Sequence, residues 1–582
     1  MIQSIDVAEY LFRRLYEAGA RAVHGVPGDY NLTALDYLEP AGLKWIGNCN
    51  ELNAGYAADG YGRVKGIGAL ITTFGVGELS AINAIAGAYA ERSPLVHIVG
   101  TPARGLQKRG ARLHHSLCRG KTEDYSLFAD MCSKITLIQE NLMDPATATE
   151  QIDRALIACV KHKRPVYIQL PADMVNIKVP STPLLVPLEF TRELNDARAE
   201  EEAAEAILEK IHQSKQPFIL VDAGASRYSI AAETNQLVKA TGFPTATTPF
   251  GKGVLDETVS NFHGVYGTVG DHVYVDWVKQ CDLVLYVGPF ENNVNTYYFK
   301  TIPETSKTIR FDEDFVQIGS PNSEPRTWKL HPGGLIRRIL DRLNTGALTQ
   351  YAEYPKLPDL RAHLKSLPKV QKTDLLLQDT FWKRISEFFE PGDIIMTETG
   401  TPSTGGRDFV LPQQTTLINS GVWLSIGYML GASQGVALAQ RDLSAENRGH
   451  KGRTILFEGD GSFQMTAQEL STIIHQRLDI IIFLINNDGY TIERLVHGKD
   501  ETYNDVAPWR YLEAPSCFGA PTDGSYNTMT ARASNWGELE EIISKGEFKY
   551  GSGLRMVEVM MDRMDAPVIL KRLLESYSAS AS

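Results

Sequence analysis

The sequence predicts an α/β protein made of three consecutive units, each built on an open parallel sheet. Three observations lead there. Short, continuous apolar runs such as Ile480–Ile485 have the length and composition of strands buried on both faces. Such runs alternate with amphipathic helical patterns, the rhythm of βαβ units. Two extended stretches containing proline, 179–190 and 345–360, read as linkers that divide the chain. At 582 residues the chain is too long for one core, and about three to five domains are expected.

The first unit spans 1–185. "DVAEYLFRRLYEAG" reads as a helix ending at Gly19, and "AVHGVPG" as a strand entering a turn. "GALITTFGVGELSAINAIAGAYAERSPLVHIVG" gives strand, Gly-rich turn, helix and strand, and "RPVYIQLPADM" a further strand. The second unit, 195–350, opens with the amphipathic helix "RAEEEAAEAILEKIHQ", whose acidic run is expected to be a solvated face. Strands follow at "QPFILVDAG" and "CDLVLYVGPF", without a G-x-G-x-x-G dinucleotide fingerprint. The third unit, 365–582, runs from the helix "TFWKRISEFFEPG" through the strands "DIIMTETG", "RTILFEGDGS" and "IIIFLINNDG". No strong repeat links the units, although the first and third share a general pattern.

Composition narrows the function classes. The chain is 43% hydrophobic and 22% charged, which is ordinary for a globular protein. A net charge of −12 and the lack of any long Lys/Arg run argue against nucleic acid or an anionic membrane as the main partner. The cysteines, Cys49, Cys118, Cys132, Cys159, Cys281 and Cys517, are scattered without C-x-x-C or metal-like spacing, so free thiols in a reducing compartment are expected. The N-terminus reads as an amphipathic helix rather than a signal peptide, and no apolar run approaches the ~20 residues that span a bilayer. "YSASAS" carries no lipidation or peroxisomal address. A cytoplasmic protein is the expectation.

The chemistry lies where two buried strands stop. One ends in Asn-Asn-Asp-Gly after Ile485; the other, "ILFEGDGSF", ends in Gly-Asp-Gly-Ser. Asp460 precedes Asn487 by 27 residues, room for one helix ("TAQELSTIIHQ") and the returning strand. A right-handed crossover puts both carboxyl ends on one sheet edge, where ligands bind. Asp460, the Asn487 side chain and a backbone carbonyl beyond it can then meet as hard oxygen donors. With two phosphate oxygens and a water they make an octahedral set suited to Mg²⁺. The glycines let the backbone approach a diphosphate, and the Ser462 N–H can donate to it. Either motif alone reads equally as a tight turn; the pair, one helix apart, does not.

GDGS followed by NN resembles the thiamine-diphosphate signature, and 458–493 is similar to the form found in fungal-type pyruvate decarboxylases. The resemblance covers nearly the whole chain and is strongest at 5–100, 114–115 and 393–500. It implies three doubly wound α/β domains: a pyrimidine-binding (PYR) domain, a central domain and a diphosphate-binding (PP) domain. It also implies thiamine diphosphate with Mg²⁺, the metal held by Asp460, Asn487 and the carbonyl of Gly489. Coenzyme contacts implied by the match are Thr399, Thr401, Leu424, Ser425, Ile426, Gly459, Asp460, Gly461, Ser462, Asn487, Gly489, Tyr490, Thr491 and Ile492. Ile426 would be the wedge that bends the coenzyme, and Leu424 would offer its carbonyl to the 4′-amino group. The family often has glycine at Leu424, but a carbonyl contact does not require one.

Activating this coenzyme needs a carboxyl group hydrogen-bonded to the pyrimidine, best a buried acid of raised pKa. "GNCNELNAGYAADGYGR" offers Glu51 and resembles the family's catalytic-Glu helix, although a first-turn Glu also suits the helix dipole. Decarboxylation further needs proton donors and acceptors at the reacting carbon. The match implies Asp29, the adjacent His114 and His115, and Glu493 on a helix starting near Asp488; such groups around one small cavity would couple their titrations.

The chain departs from the family pattern at "SLCRGK" after the His pair. It departs again at Val294 and in "TPST", where aromatics are common. Smaller groups there suggest a pocket for aromatic or branched 2-oxo acids as well as pyruvate. The resemblance implies a homodimer or homotetramer with active sites at subunit interfaces. An acetolactate-type carboligase forming acyloins is the alternative, but such enzymes lack the His pair. A non-catalytic relative would have lost one of Glu51, Asp460, Asn487 or Glu493, and none is lost.

Overall fold

The computed structural model describes residues 4–267, 272–321, 323–348, 359–448, 452–572 and 574. Most of the second expected linker, 349–358, and the tail 577–582 lie outside the described residues. The chain forms three α/β domains with doubly wound sheets.

The first carries β1 (Ser4–Asp6), β2 (Ala22–Gly25), β3 (Lys44–Gly47), β4 (Gly68–Thr73), β5 (Leu95–Thr101), β6 (Gln139–Asn141), β7 (Val166–Pro171) and β8 (Lys178–Pro180). Six of these make an all-parallel sheet in the order β3-β2-β4-β5-β7-β6. Every residue of β4, β5 and β7 is buried, as continuous apolar runs require of a sheet covered on both faces. The expected linker at 179–190 is no free tether. Its start, β8, pairs antiparallel with β1. Beyond it, the carbonyls of Pro183 and Val186 accept from buried Arg14 at 2.7 and 3.0 Å. Proline content signals extension but is blind to a partner arriving from 170 residues away.

The central domain carries β9 (Pro217–Val221), β10 (Thr245–Thr247), β11 (Phe262–Val265), β12 (Leu283–Val287), β13 (Thr308–Phe311), β14 (Val316–Ile318) and β15 (Arg326–Trp328). The order is β11-β10-β9-β12-β13-β14-β15, with β14 alone running against the others. The acidic run on helix Ala197–Gln213 is solvated only in part: Glu202 and Glu205 are exposed, but Glu200 is buried. Glu200 and Glu201 accept from Arg338 of helix Pro332–Arg342 at 2.9 and 2.7 Å, and Glu202 pairs with Arg326. Charges that look like solubility on one helix dock a second.

The third domain carries β16 (Ile394–Thr397), β17 (Thr416–Asn419), β18 (Thr454–Gly459), β19 (Ile480–Asn486), β20 (Thr528–Ala533) and β21 (Leu554–Met560). All are parallel, in the order β17-β16-β18-β19-β21-β20. Phe457 and Phe483 stack across β18 and β19 with centroids 4.9 Å apart, inside a cluster holding Phe381, Trp382 and Phe409. The helix expected between GDGS and NNDG is two short helices, Asp460–Thr466 and Glu469–His475.

The first and third domains of the chain meet along helices Glu51–Lys65 and Tyr428–Ala445. The backbones approach so closely that a Cβ at Gly60 would stand 2.2 Å from the Ala432 carbonyl, and one at Gly435 1.8 Å from that of Ala57. Among the described residues no helix is long and apolar enough to cross a membrane.

Candidate active site

The register of the third sheet gathers the predicted ligands. Thr397 lies opposite Phe457, and Gly459 opposite Ile485. The three adjacent strands β16, β18 and β19 therefore release Thr399–Thr401, Asp460–Ser462 and Asn487–Gly489 at one edge, the ligand edge of an open parallel sheet. One cavity there is lined by Thr399, Thr401, Ile426, Gly459, Asp460, Gly461, Ser462, Asn487, Gly489, Tyr490, Thr491, Ile492 and Glu493.

Asp460 is 2% exposed and accepts from the Gly461 and Gly489 N–H groups, each at 2.9 Å. Burial still pushes its carboxyl up to about 6, a penalty that a bound cation would relieve. Asn487 points the same way. Its nitrogen donates to Thr491 Oγ1 at 2.7 Å, which turns its oxygen onto two other acceptors. These are Asp460 Oδ1 at 3.1 Å and the Gly489 carbonyl at 3.2 Å. Protein bonds alone favour the rotated amide; a hard divalent ion favours three oxygens facing one another. The residues fit Mg²⁺.

Local backbone makes this possible. Gly489 has φ +120°, and a Cβ there would strike the Asn504 carbonyl at 2.4 Å. Arg494, buried, donates to the carbonyls of Asp488 and Asn504 at 3.3 and 3.2 Å and pairs with Asp505, pinning the turn. The helix bearing Glu493 starts at Thr491, not near Asp488, because Asp488 (φ +56°) and Gly489 are left-handed and cannot begin one. Glu493 then sits in its first turn, exposed, at the cavity wall.

Leu424 borders the neighbouring cavity and is left-handed at φ +53°. That is the conformation glycine enters most cheaply, which gives a reason for glycine elsewhere in the family. Its N–H donates to Ser420 Oγ at 2.9 Å. The Ser425 hydroxyl is engaged away from the cavity, 2.8 Å from Tyr56 OH and 3.2 Å from Asn83 Nδ2.

The first domain brings together the other half. His114 Nε2 lies 2.8 Å from Asp29 Oδ2, and its Nδ1 3.4 Å from Tyr30 OH. The two His rings are 4.5 Å apart, with Phe74 beside His115. One ligand atom from each of Asp29, His114 and His115 falls within 4.8 Å of the others, so they could also hold a transition ion. Burial, then the neighbouring His114, lowers the His115 pKa. Glu51 is the first residue of its helix, capped by Asn50 accepting from the Asn53 N–H at 2.8 Å. It is half-buried, and burial raises its carboxyl, as an acid that must hold a proton requires.

Among the described residues, no hydrogen bond or ion pair joins Glu51, Asp29, His114 or His115 to the Asp460 edge, and no first-domain residue lines either cavity.

Sequence reasoning passed over several buried acids. Glu398 and Glu458 are fully buried side by side at the ends of β16 and β18. Glu398 accepts the Thr399 and Met429 N–H groups at 2.7 and 2.8 Å, tying together two segments that border the site. Burial raises Glu398 and Glu78 each to about 7, and Glu458 further. An acid inside an apolar strand, as in "ILFEG", was the available signal.

Comparison with known proteins agrees with this geometry. Three family models of the thiamine pyrophosphate enzymes match: the N-terminal TPP binding domain over residues 5–120, the central domain over 204–325 and the C-terminal TPP binding domain over 399–546. The chain is 48% identical to a pyruvate decarboxylase of Aspergillus parasiticus, over 99% of this chain and 98% of the relative. It is 42% identical to one of Aspergillus fumigatus, over 99% and 97%. It is 39% identical to one of Candida glabrata, over 98% and 97%. Full-length identity at this level, with both coenzyme-binding domains matched, makes the chain a member of the thiamine-diphosphate-dependent 2-oxo acid decarboxylase family of the fungal pyruvate decarboxylases.

Proposed function

We propose that this enzyme decarboxylates pyruvate and larger 2-oxo acids, aromatic and branched ones included, at a site completed by a second copy of the chain. One observation carries the substrate reading. Val294 of the central domain, Ser403 and Thr404 after β16, and Glu493 line a single cavity of about 310 Å³. Val294, Ser403 and Thr404 are small where aromatic rings would narrow that cavity. That no first-domain residue lines either cavity supports a shared site: the acid of one copy would serve the metal edge of its neighbour. Unpaired cysteines at all six positions support a reducing, cytoplasmic setting.

Bound thiamine diphosphate would supply a nucleophilic carbon and an electron sink for the carbon left when CO₂ departs. Asp460, Asn487 and the Gly489 carbonyl would hold Mg²⁺, and Ser462 would donate to the diphosphate. Glu51, kept a weak acid by burial, holds a proton for the pyrimidine. Asp29 fixes the His114 ring by accepting at Nε2, so the His pair can pass a proton between ring nitrogens and substrate oxygen. Glu493 closes the cavity from the other side.

Aldehyde release with thiamine diphosphate and Mg²⁺, measured on pyruvate, 2-oxoisocaproate and phenylpyruvate, tests this. Turnover of all three is expected. Activity confined to pyruvate overturns the roomy pocket, and activity on none overturns the decarboxylase reading.

A further inference from the structure

The cavity that holds Glu493 has a second charged wall. Arg407 lies on the 3₁₀ turn Gly406–Asp408 and is 6% exposed. It lines the same cavity as Glu493, Thr404 and Val294. Its Nη1 donates to Tyr297 OH at 3.1 Å, and its Cζ stands 5.4 Å from that ring. Nε is buried with no acceptor. The adjacent Asp408 lies 3.9 Å from Lys383 instead, and among the described residues no carboxylate reaches ion-pair distance of Arg407.

Several arginines with buried side chains are paired with carboxylates; Arg555, like Arg407, is not, but it lines neither cavity and donates to the Phe548 carbonyl at 3.1 Å. Arg14 is paired with Asp153 at 2.9 Å, Arg63 with Asp59 at 2.9 Å and Arg453 with Asp393 at 2.5 Å. A guanidinium stays charged at any working pH, and taking it out of water without a counter-charge is costly. A buried cation with open donors at a cavity wall calls for an anion from the cavity. The same cavity is also lined by the apolar Leu424, Ile492, Val496 and Leu570. The cavity thus presents a carboxylate, apolar walls and a cation.

Resting on the decarboxylase reading, we propose that Arg407 determines specificity by binding a second carboxylate at the far end of the substrate, so that the enzyme takes 2-oxo dicarboxylic acids. The fork of the guanidinium matches a carboxylate in two parallel hydrogen bonds. The small side chains at Val294 and Thr404 leave the path to it open. The reaction is unchanged in kind. The bond between the C1 carboxylate and the C2 carbonyl breaks, CO₂ leaves with C1, and a proton takes its place at C2. The product is an aldehyde that keeps the distal carboxylate, and no oxidant or reductant is needed.

The test uses holoenzyme and compares kcat/KM for 2-oxoglutarate with that for 2-oxohexanoate, whose tail carries no charge. In wild type both are turned over. Arg407→Met, and Arg407→Gln as a second variant against misfolding, should lower the ratio of the two by at least about tenfold, mainly through KM. Arg407→Lys should keep part of the preference. Tyr297→Phe removes the hydrogen-bond partner but not the charge, and should leave the ratio within about twofold. A wild type that ignores 2-oxoglutarate while consuming 2-oxohexanoate, or a ratio unmoved by losing Arg407, overturns the proposal. Failure on every 2-oxo acid, pyruvate included, sinks the decarboxylase reading itself and this inference with it.

Discussion

Single residues carry the chemistry because their surroundings set their protonation. Glu51 has no cation beside it, and burial alone raises its carboxyl. Glu51→Gln keeps the shape and removes the proton; kcat should fall by about 10²–10⁴-fold while thiamine diphosphate still binds, read by titration of the coenzyme. Glu469 shows the same physics acting on stability. It is fully buried, accepts from Asn48 Nδ2 at 2.7 Å, and burial lifts it to about 7 from its ordinary 4.5. The folded carboxyl keeps its proton up to about pH 7, whereas the unfolded one releases it near 4.5. Stability from this group is therefore whole below pH 4.5 and drains as pH rises toward 7, a change of about 3 kcal/mol. Chemical denaturation at pH 5 and 7.5 should show Glu469→Gln losing less than wild type by about that amount. Glu51 and Asp460 were legible from their motifs. Glu469 and Arg407 were not, since a charge reveals its burial only when its neighbours are known.

Elements matter here for where they end and how closely they cross. That β18 and β19 end in oxygen donors could be read from the apolar runs before them. That β16 adjoins β18, bringing Thr399 to the same edge, is a fact of strand order. The crossing of helices Glu51–Lys65 and Tyr428–Ala445 depends on missing side chains. Gly435→Ala would put a Cβ 1.8 Å from a backbone carbonyl that cannot swing aside. A loss of about 1–3 kcal/mol is expected, seen as a lower Tm. Gly546, with open space around its missing Cβ, should accept alanine almost without effect. The helix pattern before Glu493 was legible, but its start was not. The left-handed Asp488 and Gly489 delay it to Thr491, held by Arg494, which bonds the carbonyls of Asp488 and Asn504; a sequence pattern shows the arginine but not that it turns back onto these carbonyls.

At the scale of the whole molecule, the candidate site draws on two separate domains, the first domain of one copy joining the third domain of another in the proposed assembly. Mixing unfolded Glu51→Gln and Asp460→Ala subunits and refolding them together should therefore restore activity that neither variant has alone. In a dimer, random mixing makes half the pairs mixed, each with one intact site of two, so about a quarter of wild-type activity is expected. No recovery would place a complete site in each chain. The metal edge also couples to folding. Thiamine diphosphate and Mg²⁺ at about 100 times Kd should stabilise wild type by about 2.7 kcal/mol, and Asp460→Ala far less, read by thermal shift.

The sequence by itself determined the α/β class, the three-part division, the metal edge and the candidate acid. Each of these follows from periodicity or from a motif confined to a few dozen residues. Only the tertiary structure decided which charges are buried, that the acidic helix docks against arginines, and that Arg407 lines the cavity of Glu493. Burial and pairing are properties of residues brought together from distant parts of the chain, and no local pattern encodes them.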